Sequence, residues 1–318
     1  MGSPRERANA YATLDSDLSP APATLSRQAS LLALPFSGRI ATALGWRGAF
    51  RLWGALGLAF AALWAGLARE DPASCSYCAL EERAFLAAAA QPPKPKRRRR
   101  RSASQPPPPP AWIATARTLL CSGSVWCIFG AHMAFNFCIY FMTSWAPSYY
   151  QETFGMRPED STLAFSLPPI VDLLVKTLVS TPLEAFLRTA RGFSTLQCRR
   201  AFTTAGFLGS ALSLVALPAA SARYGALGAT ACFSLANGFV ALHPAGFKAN
   251  YMDVTRSSPG VVTGIGNTLA SFAAFLGPVF VGSVLQNGSW TPVFVAIAAL
   301  QLLAALGYGR YASTTPVD

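Results

Sequence analysis

The chain is short of charge, and shortest of acid. Its 318 residues include 14 Asp and Glu against 26 Lys and Arg, only 13% are charged, and there are two histidines. Soluble domains carry about 25% charged residues, so this composition argues against a water-soluble fold. Two histidines, His132 and His243, give little material for a zinc cluster or a histidine-based catalytic triad. The seven cysteines are scattered. Cys75 and Cys78 have metal-like spacing, but no second pair or neighbouring histidine completes a site. No nucleotide-binding glycine loop occurs. The sequence therefore points to a non-enzyme with no metal and no organic cofactor. Residues 1–27 are polar and proline-bearing, and no signal peptide is visible in them.

Long apolar stretches fill the rest. Hydrophobic residues make up 52% of the chain, and they cluster into eight runs: 30–45, 48–67, 118–146, 162–182, 201–219, 224–246, 259–286 and 290–312. Most are long enough to cross a bilayer as helices. The expected fold class is an all-α integral membrane protein with about eight transmembrane helices. The expected order is a disordered N-terminus (1–28), a helix pair (29–69), a basic and proline-rich loop (70–112), a six-helix unit (113–313) and a tail (314–318). The net charge of +12 would point to nucleic acid in a soluble protein. Here most of the basic residues fall on one side of the alternating spans, as the positive-inside rule requires. Lys94 to Arg101 then reads as a cytoplasmic topological anchor, and no nucleic acid is expected as a partner.

Polar residues inside the apolar runs mark the candidate pathway, because lipid offers them nothing to bond. His132, Asn136 and Tyr140 recur every four residues, so they share one helical face. Asp172 and Lys176 are opposite charges four apart on another helix. His243-Pro244 interrupts a third, where proline frees a carbonyl that can bind a cation or simply bend the helix. The run from Gly260 to Leu285 carries Asn267 and many small residues, among them Gly264, Gly266, Gly277 and Gly282. Small residues of this kind let membrane helices approach closely.

The stretch from Gly246 to Thr268 also carries a resemblance. Gly246, Phe247, Asn250, Asp253, Gly260, Gly264, Asn267 and Thr268 match in register the pattern G-F-x-x-N-H-x-D-I-A-P-R-Y-A-G-x-x-x-G-x-x-N-T, with Tyr251 at the histidine position. His132, Asn136, Trp145, Pro147 and Tyr149 match a second segment, and Gly45-Trp46-Arg47 with Phe50 a third. These resemble the anion:cation symporter family of the major facilitator superfamily, the sodium- or proton-coupled carriers of phosphate and organic anions. The resemblance implies a partial major facilitator fold starting at the family's fifth helix. It implies alternating access and a small anionic solute as partner, with sodium or a proton as coupling ion. It makes His132, Asn136, Tyr140, Asn250, Asp253 and Asn267 pathway candidates beside Asp172 and Lys176, although that charged pair has no counterpart in the family. Arg199 and Arg200 match a basic pair that closes a cytoplasmic gate in relatives. Phe186 stands where the family has the partnering aspartate, with Glu184 two residues earlier. The competing expectation is a transport-inactive membrane fragment or scaffold. Oligomeric state and organelle are not legible.

Overall fold

Thr195–Val240 is one continuous run of helical hydrogen bonding, yet at about 1.5 Å per residue it would be more than twice as long as a bilayer core is thick. It is folded back on itself. Gly225 adopts φ 61°, a left-handed conformation that costs glycine nothing. Gly206 lies against His243, Gly209 against Phe239 and Gly228 against Ala220. Each pair is centred close to Gly225, so the two arms run antiparallel. Tyr149 and Tyr150, adjacent on one helix, bond Ser221 and Thr230 on opposite arms at 2.8 and 2.7 Å.

A computed structural model of the chain describes residues 21–69, 75, 78–80, 82–84, 117–156, 162–255, 258–286 and 288–317. All regular elements among them are helical. They are α1 (Ala21–Leu67), α2 (Gly123–Phe154), α3 (Thr162–Leu174), α4 (Thr181–Thr189), α5 (Thr195–Val240), α6 (Ala249–Asp253), α7 (Pro259–Leu285) and α8 (Thr291–Tyr311). Two π-helical segments interrupt the series: Val175–Ser180 joins α3 to α4, and Pro244–Lys248 leads into α6. Five helical stretches among the described residues are long and apolar enough to cross a membrane. With α5 folded at Gly225 and α3–α4 read as one bent span, Gly123 to Tyr311 makes six passes.

Two compact units divide the chain, Met1–Pro35 with Pro109–Asp318, and Phe36–Pro108. Within the larger unit α5 packs on α8 and α3, and α2 packs on α7 and α8. Its core is aromatic at one end, where Tyr149 meets Trp290 and Phe294 edge-on at 5.3 Å between ring centroids. Ser210, Gln301 and Cys138 tie α5, α8 and α2 together inside it. The smaller unit includes the later part of α1, whose large apolar side chains, Trp46, Phe50, Phe60 and Trp64 among them, are exposed.

Some expectations change. α1 begins at Ala21, inside the segment assigned to a disordered N-terminus, because Pro22 suits the first helical turn, where its missing N–H is not needed. A break at Gly45 (φ 69°) separates the two spans expected within it. The basic run Lys94 to Arg101 and the prolines beyond it lie outside the described residues. The small residues of α7 divide: Gly266 lies under the Tyr251 hydroxyl, and Gly277 faces Phe137. Gly260, Gly264 and Gly282 open onto free space.

Glycine is needed where two arms touch. A Cβ on Gly246 would meet the Thr203 backbone nitrogen at 2.9 Å and its Cα at 3.2 Å. Gly246→Ala is expected to destabilise the protein by about 1–3 kcal/mol. Gly264→Ala should leave stability unchanged or raise it, since alanine is the better helix former. Thermal melts of the two purified variants check this, and equal melting temperatures would contradict the close approach at Gly246.

Candidate functional site

The first cluster is built by the start of α5. Ser194 caps the helix, accepting from the Gln197 backbone at 3.2 Å while the Gln197 side chain accepts from the Ser194 backbone at 2.8 Å. This reciprocal cap satisfies two orphan donors and fixes the first turn. Arg199 sits one turn on, inside the bundle, 7% exposed. Its Nε donates to Asp253 Oδ2 at 2.8 Å, and one terminal nitrogen donates to Glu184 Oε1 at 2.6 Å and to the Ala245 carbonyl at 2.8 Å. One guanidinium therefore holds α4, the Pro244–Lys248 segment and α6. Arg200 turns elsewhere and donates to the Ala312 carbonyl at 2.9 Å, closing the end of α8.

Asp253, a pathway candidate in the sequence, is thus bonded to Arg199, a candidate for the gate loop. The carboxylate that pairs with Arg199 on α4 is Glu184, two residues before Phe186 at the family's aspartate position. One turn of helix separates Glu184 from Arg188, with which it also pairs loosely at 4.0 Å. Ala245 is offered to Arg199 because Pro244 opens the π-segment. The carbonyl one turn before the proline, that of Val240, is taken by the His243 N–H at 3.2 Å. The interruption at His243-Pro244 therefore acts as a bend.

The second cluster lies deeper. His132 is buried and its Nδ1 lies 3.0 Å from the Tyr251 hydroxyl. Asn250, fully buried, donates to the Tyr308 hydroxyl at 2.8 Å. The shared face of α2 passes from buried His132 through half-buried Asn136 to Tyr140, which is 41% exposed. Asn267 is exposed on α7. Asp172 and Lys176 form a bidentate pair, with Nζ 2.9 and 2.8 Å from the two carboxylate oxygens. The pair spans the junction between α3 and the Val175–Ser180 π-segment.

Two residues of this layer are absent from the pathway candidates read from the sequence. His243 is fully buried among Phe135, Phe207 and Phe247, with both ring nitrogens unpartnered. Lys248 sets its ammonium 3.9 Å from the centre of the Phe135 ring, a cation–π contact. Lys248 lies two residues beyond the apolar run 224–246, and that position was the available signal. Among the described residues no three metal-ligating side chains converge.

Comparison with known proteins agrees with this architecture. The sequence profile described as Major Facilitator Superfamily matches residues 26–278. Human sialin is 26% identical over 286 residues, which is 89% of this chain and 54% of sialin. Sodium-dependent phosphate transport protein 1, chloroplastic, of Arabidopsis thaliana is 26% identical over 284 residues, 89% of this chain and 52% of that protein. Probable anion transporter 6 of Oryza sativa subsp. japonica is 30% identical over 188 residues, 55% of this chain and 43% of its own. The chain spans about half the length of the curated relatives it matches.

Removing one partner of a buried charge cluster strands the others. Arg199→Gln removes the cation that Asp253 and Glu184 share, leaving Glu184 only its loose contact with Arg188, and is expected to lower stability by about 3 kcal/mol. Arg188→Gln, at an exposed and loosely paired position, should cost less than about 1 kcal/mol. Melting curves of both variants in the same detergent test this, and equal effects would show that Arg199 is not a structural clamp.

Proposed function

The chain belongs to the Major Facilitator Superfamily, and from that premise we propose that it works in secondary active transport of a small anion, coupled to sodium or protons. It is an all-α, multi-pass membrane protein, and its relatives are transporters, which are not enzymes. The proposed solute is inorganic phosphate or an organic carboxylate; phosphate is named in the Arabidopsis thaliana relative. The observation that carries the proposal is the layer of polar and charged side chains in the middle of apolar helices. Asp172, Lys176, Lys248, His132, Asn136 and Asn250 all sit where a lipid-facing position would be costly. Such groups are maintained inside a membrane when they face a ligand or one another.

In this mechanism a midplane site is exposed alternately to the two sides as helix bundles rock. Arg199, Glu184 and Asp253 hold one end of the six-helix unit closed, and Asn136 and Tyr140 line the wall of the pathway. Asp172 holds Lys176 in place beside it. Asn250 and Asn267 contribute along the same route.

Uptake of labelled phosphate and of labelled organic carboxylates into proteoliposomes, under an imposed sodium or proton gradient, tests the proposal. The unaltered chain is expected to accumulate one of these anions. The charge-swapped Asp172→Lys/Lys176→Asp variant should fold, because the pair is retained, but lose uptake at least about 10-fold, the scale of about 1.4 kcal/mol of lost binding. Full uptake by the swapped variant would make the pair a structural strut. Absence of uptake by the unaltered chain would favour the scaffold alternative.

A further inference from the structure

We propose that the groove between α2 and α8 binds an anionic phospholipid, with the headgroup phosphate at Arg200 and Arg310 and one acyl chain lying between the two helices. This lipid site is additional to the anion-transport reading and holds with or without it.

The groove has a volume of about 240 Å³ and almost wholly apolar walls. Cys127, Gly130 and Ala131 form its α2 side, and Leu300, Ala304 and Gly307 face them from α8. It is open because two positions carry no side chain: a Cβ added to Gly130 or Gly307 would meet nothing within 4 Å. Leu302, Leu303 and Leu306 are exposed on α8 around it. In a multi-pass membrane protein a leucine face of this kind borders lipid tails, which are equally apolar. An apolar slot admits such a tail and offers a water-soluble anion nothing to bond.

Two exposed aromatic residues set the depth of the groove. Trp126 precedes Cys127, and its indole nitrogen donates to the Leu120 carbonyl at 2.8 Å. Tyr311 ends α8. Exposed tryptophan and tyrosine are enriched at the headgroup level of a bilayer. Leu300 lies 11 residues before Tyr311, about 16 Å further in along the helix axis. The groove therefore runs from the headgroup level into the hydrocarbon region, which is the course of a phospholipid acyl chain.

The mouth of the groove is positive. Arg310 and Tyr311 continue the face of α8 that carries Leu303, Ala304 and Gly307, and Arg310 is exposed. Arg200 reaches the same end from α5. It donates to the Ala312 carbonyl at 2.9 Å and lies within electrostatic reach of Cys127 on the groove wall. Among the described residues neither arginine has a carboxylate partner, and the Arg200 Nε has no acceptor. Glu184 and Asp253, at the same end of α5, are engaged by Arg199. Basic pockets between membrane helices bind anionic headgroups, and a guanidinium suits phosphate oxygens because it offers several donors in a fixed fork. A net negative headgroup satisfies the mouth and an acyl chain the slot, whereas a free phosphate satisfies only the mouth.

Native mass spectrometry of the full chain in detergent, with dioleoylphosphatidylglycerol and dioleoylphosphatidylcholine added in turn, tests the site. The anionic lipid is expected to be retained at least about 10-fold better, since each basic residue near a membrane surface contributes about 5-fold. Arg310→Gln, at an exposed position, should cut that preference about 5-fold. Arg200→Gln should do the same, and Arg200→Lys should keep most of it. Gly307→Leu fills the slot and should weaken both lipids. Arg223→Gln, an equal charge loss at an exposed position beside the Gly225 turn, should change nothing. A diazirine carried on the acyl chain of phosphatidylglycerol should label residues 127–131 or 300–308. Equal retention of the two lipids, a preference unchanged in both arginine variants, or labelling confined to other helices overturns the assignment. So does binding of inorganic phosphate, or of a second copy of the chain, in place of the lipid.

Discussion

The Arg199 guanidinium is the interaction on which the six-helix unit depends. Three elements converge on it: α4 from before α5, and the Pro244–Lys248 segment and α6, which follow one another after it. A guanidinium suits the task because it is planar, permanently charged and presents several donors in a fixed fork. Glu184, Asp253 and the Ala245 carbonyl occupy those donors from three directions. In a membrane protein the usual apolar driving force between helices is weak, since lipid tails are as apolar as leucine. Polar contacts of this kind then decide which helix ends stay together. Much else is arranged to supply them. Pro244 opens a turn that exposes Ala245, Gly246 lets that turn lie on Thr203, and the Ser194 cap fixes where Arg199 points.

The same bend connects the clamp to the deeper layer. The segment Pro244–Lys248 offers its carbonyl to Arg199 at one point and its lysine to Phe135 at another. A short covalent path therefore joins the clamp to the side chains packed on Phe135. α6 comes directly after and places Asn250 and Tyr251 against Tyr308 and His132. Ala245, Lys248, Asn250 and Asp253 therefore lie on one continuous stretch of chain.

How much of this was legible in the sequence differs residue by residue. Helix number and order came from apolar runs and their breaks, and the turn at Gly225 falls at the edge of two of them. The Asp172–Lys176 pair is local, so spacing alone placed it. Arg199 and Asp253 are 54 positions apart, and only a tertiary fold brings them together. Glu184 lies two residues before the expected aspartate position, so the residue pattern did not place its pairing with Arg199. The π-segments left no trace, since one extra residue per turn barely disturbs hydrophobic periodicity. The glycines of α7 were read as contact points as a group, yet Gly266 and Gly277 have neighbours while Gly260, Gly264 and Gly282 do not. Composition says that close approach is possible and cannot say where it occurs.

Backbone hydrogen exchange tests the dependence on Arg199 most directly, because it reads local opening segment by segment. In Asp253→Asn the guanidinium loses its charged partner on α6. Amides of residues 245–254 are then expected to exchange at least about 10-fold faster than in the unaltered protein, while residues 226–240 keep their protection. Unchanged exchange across 245–254 would contradict the account, and would mean that the bend and α6 are held by packing alone.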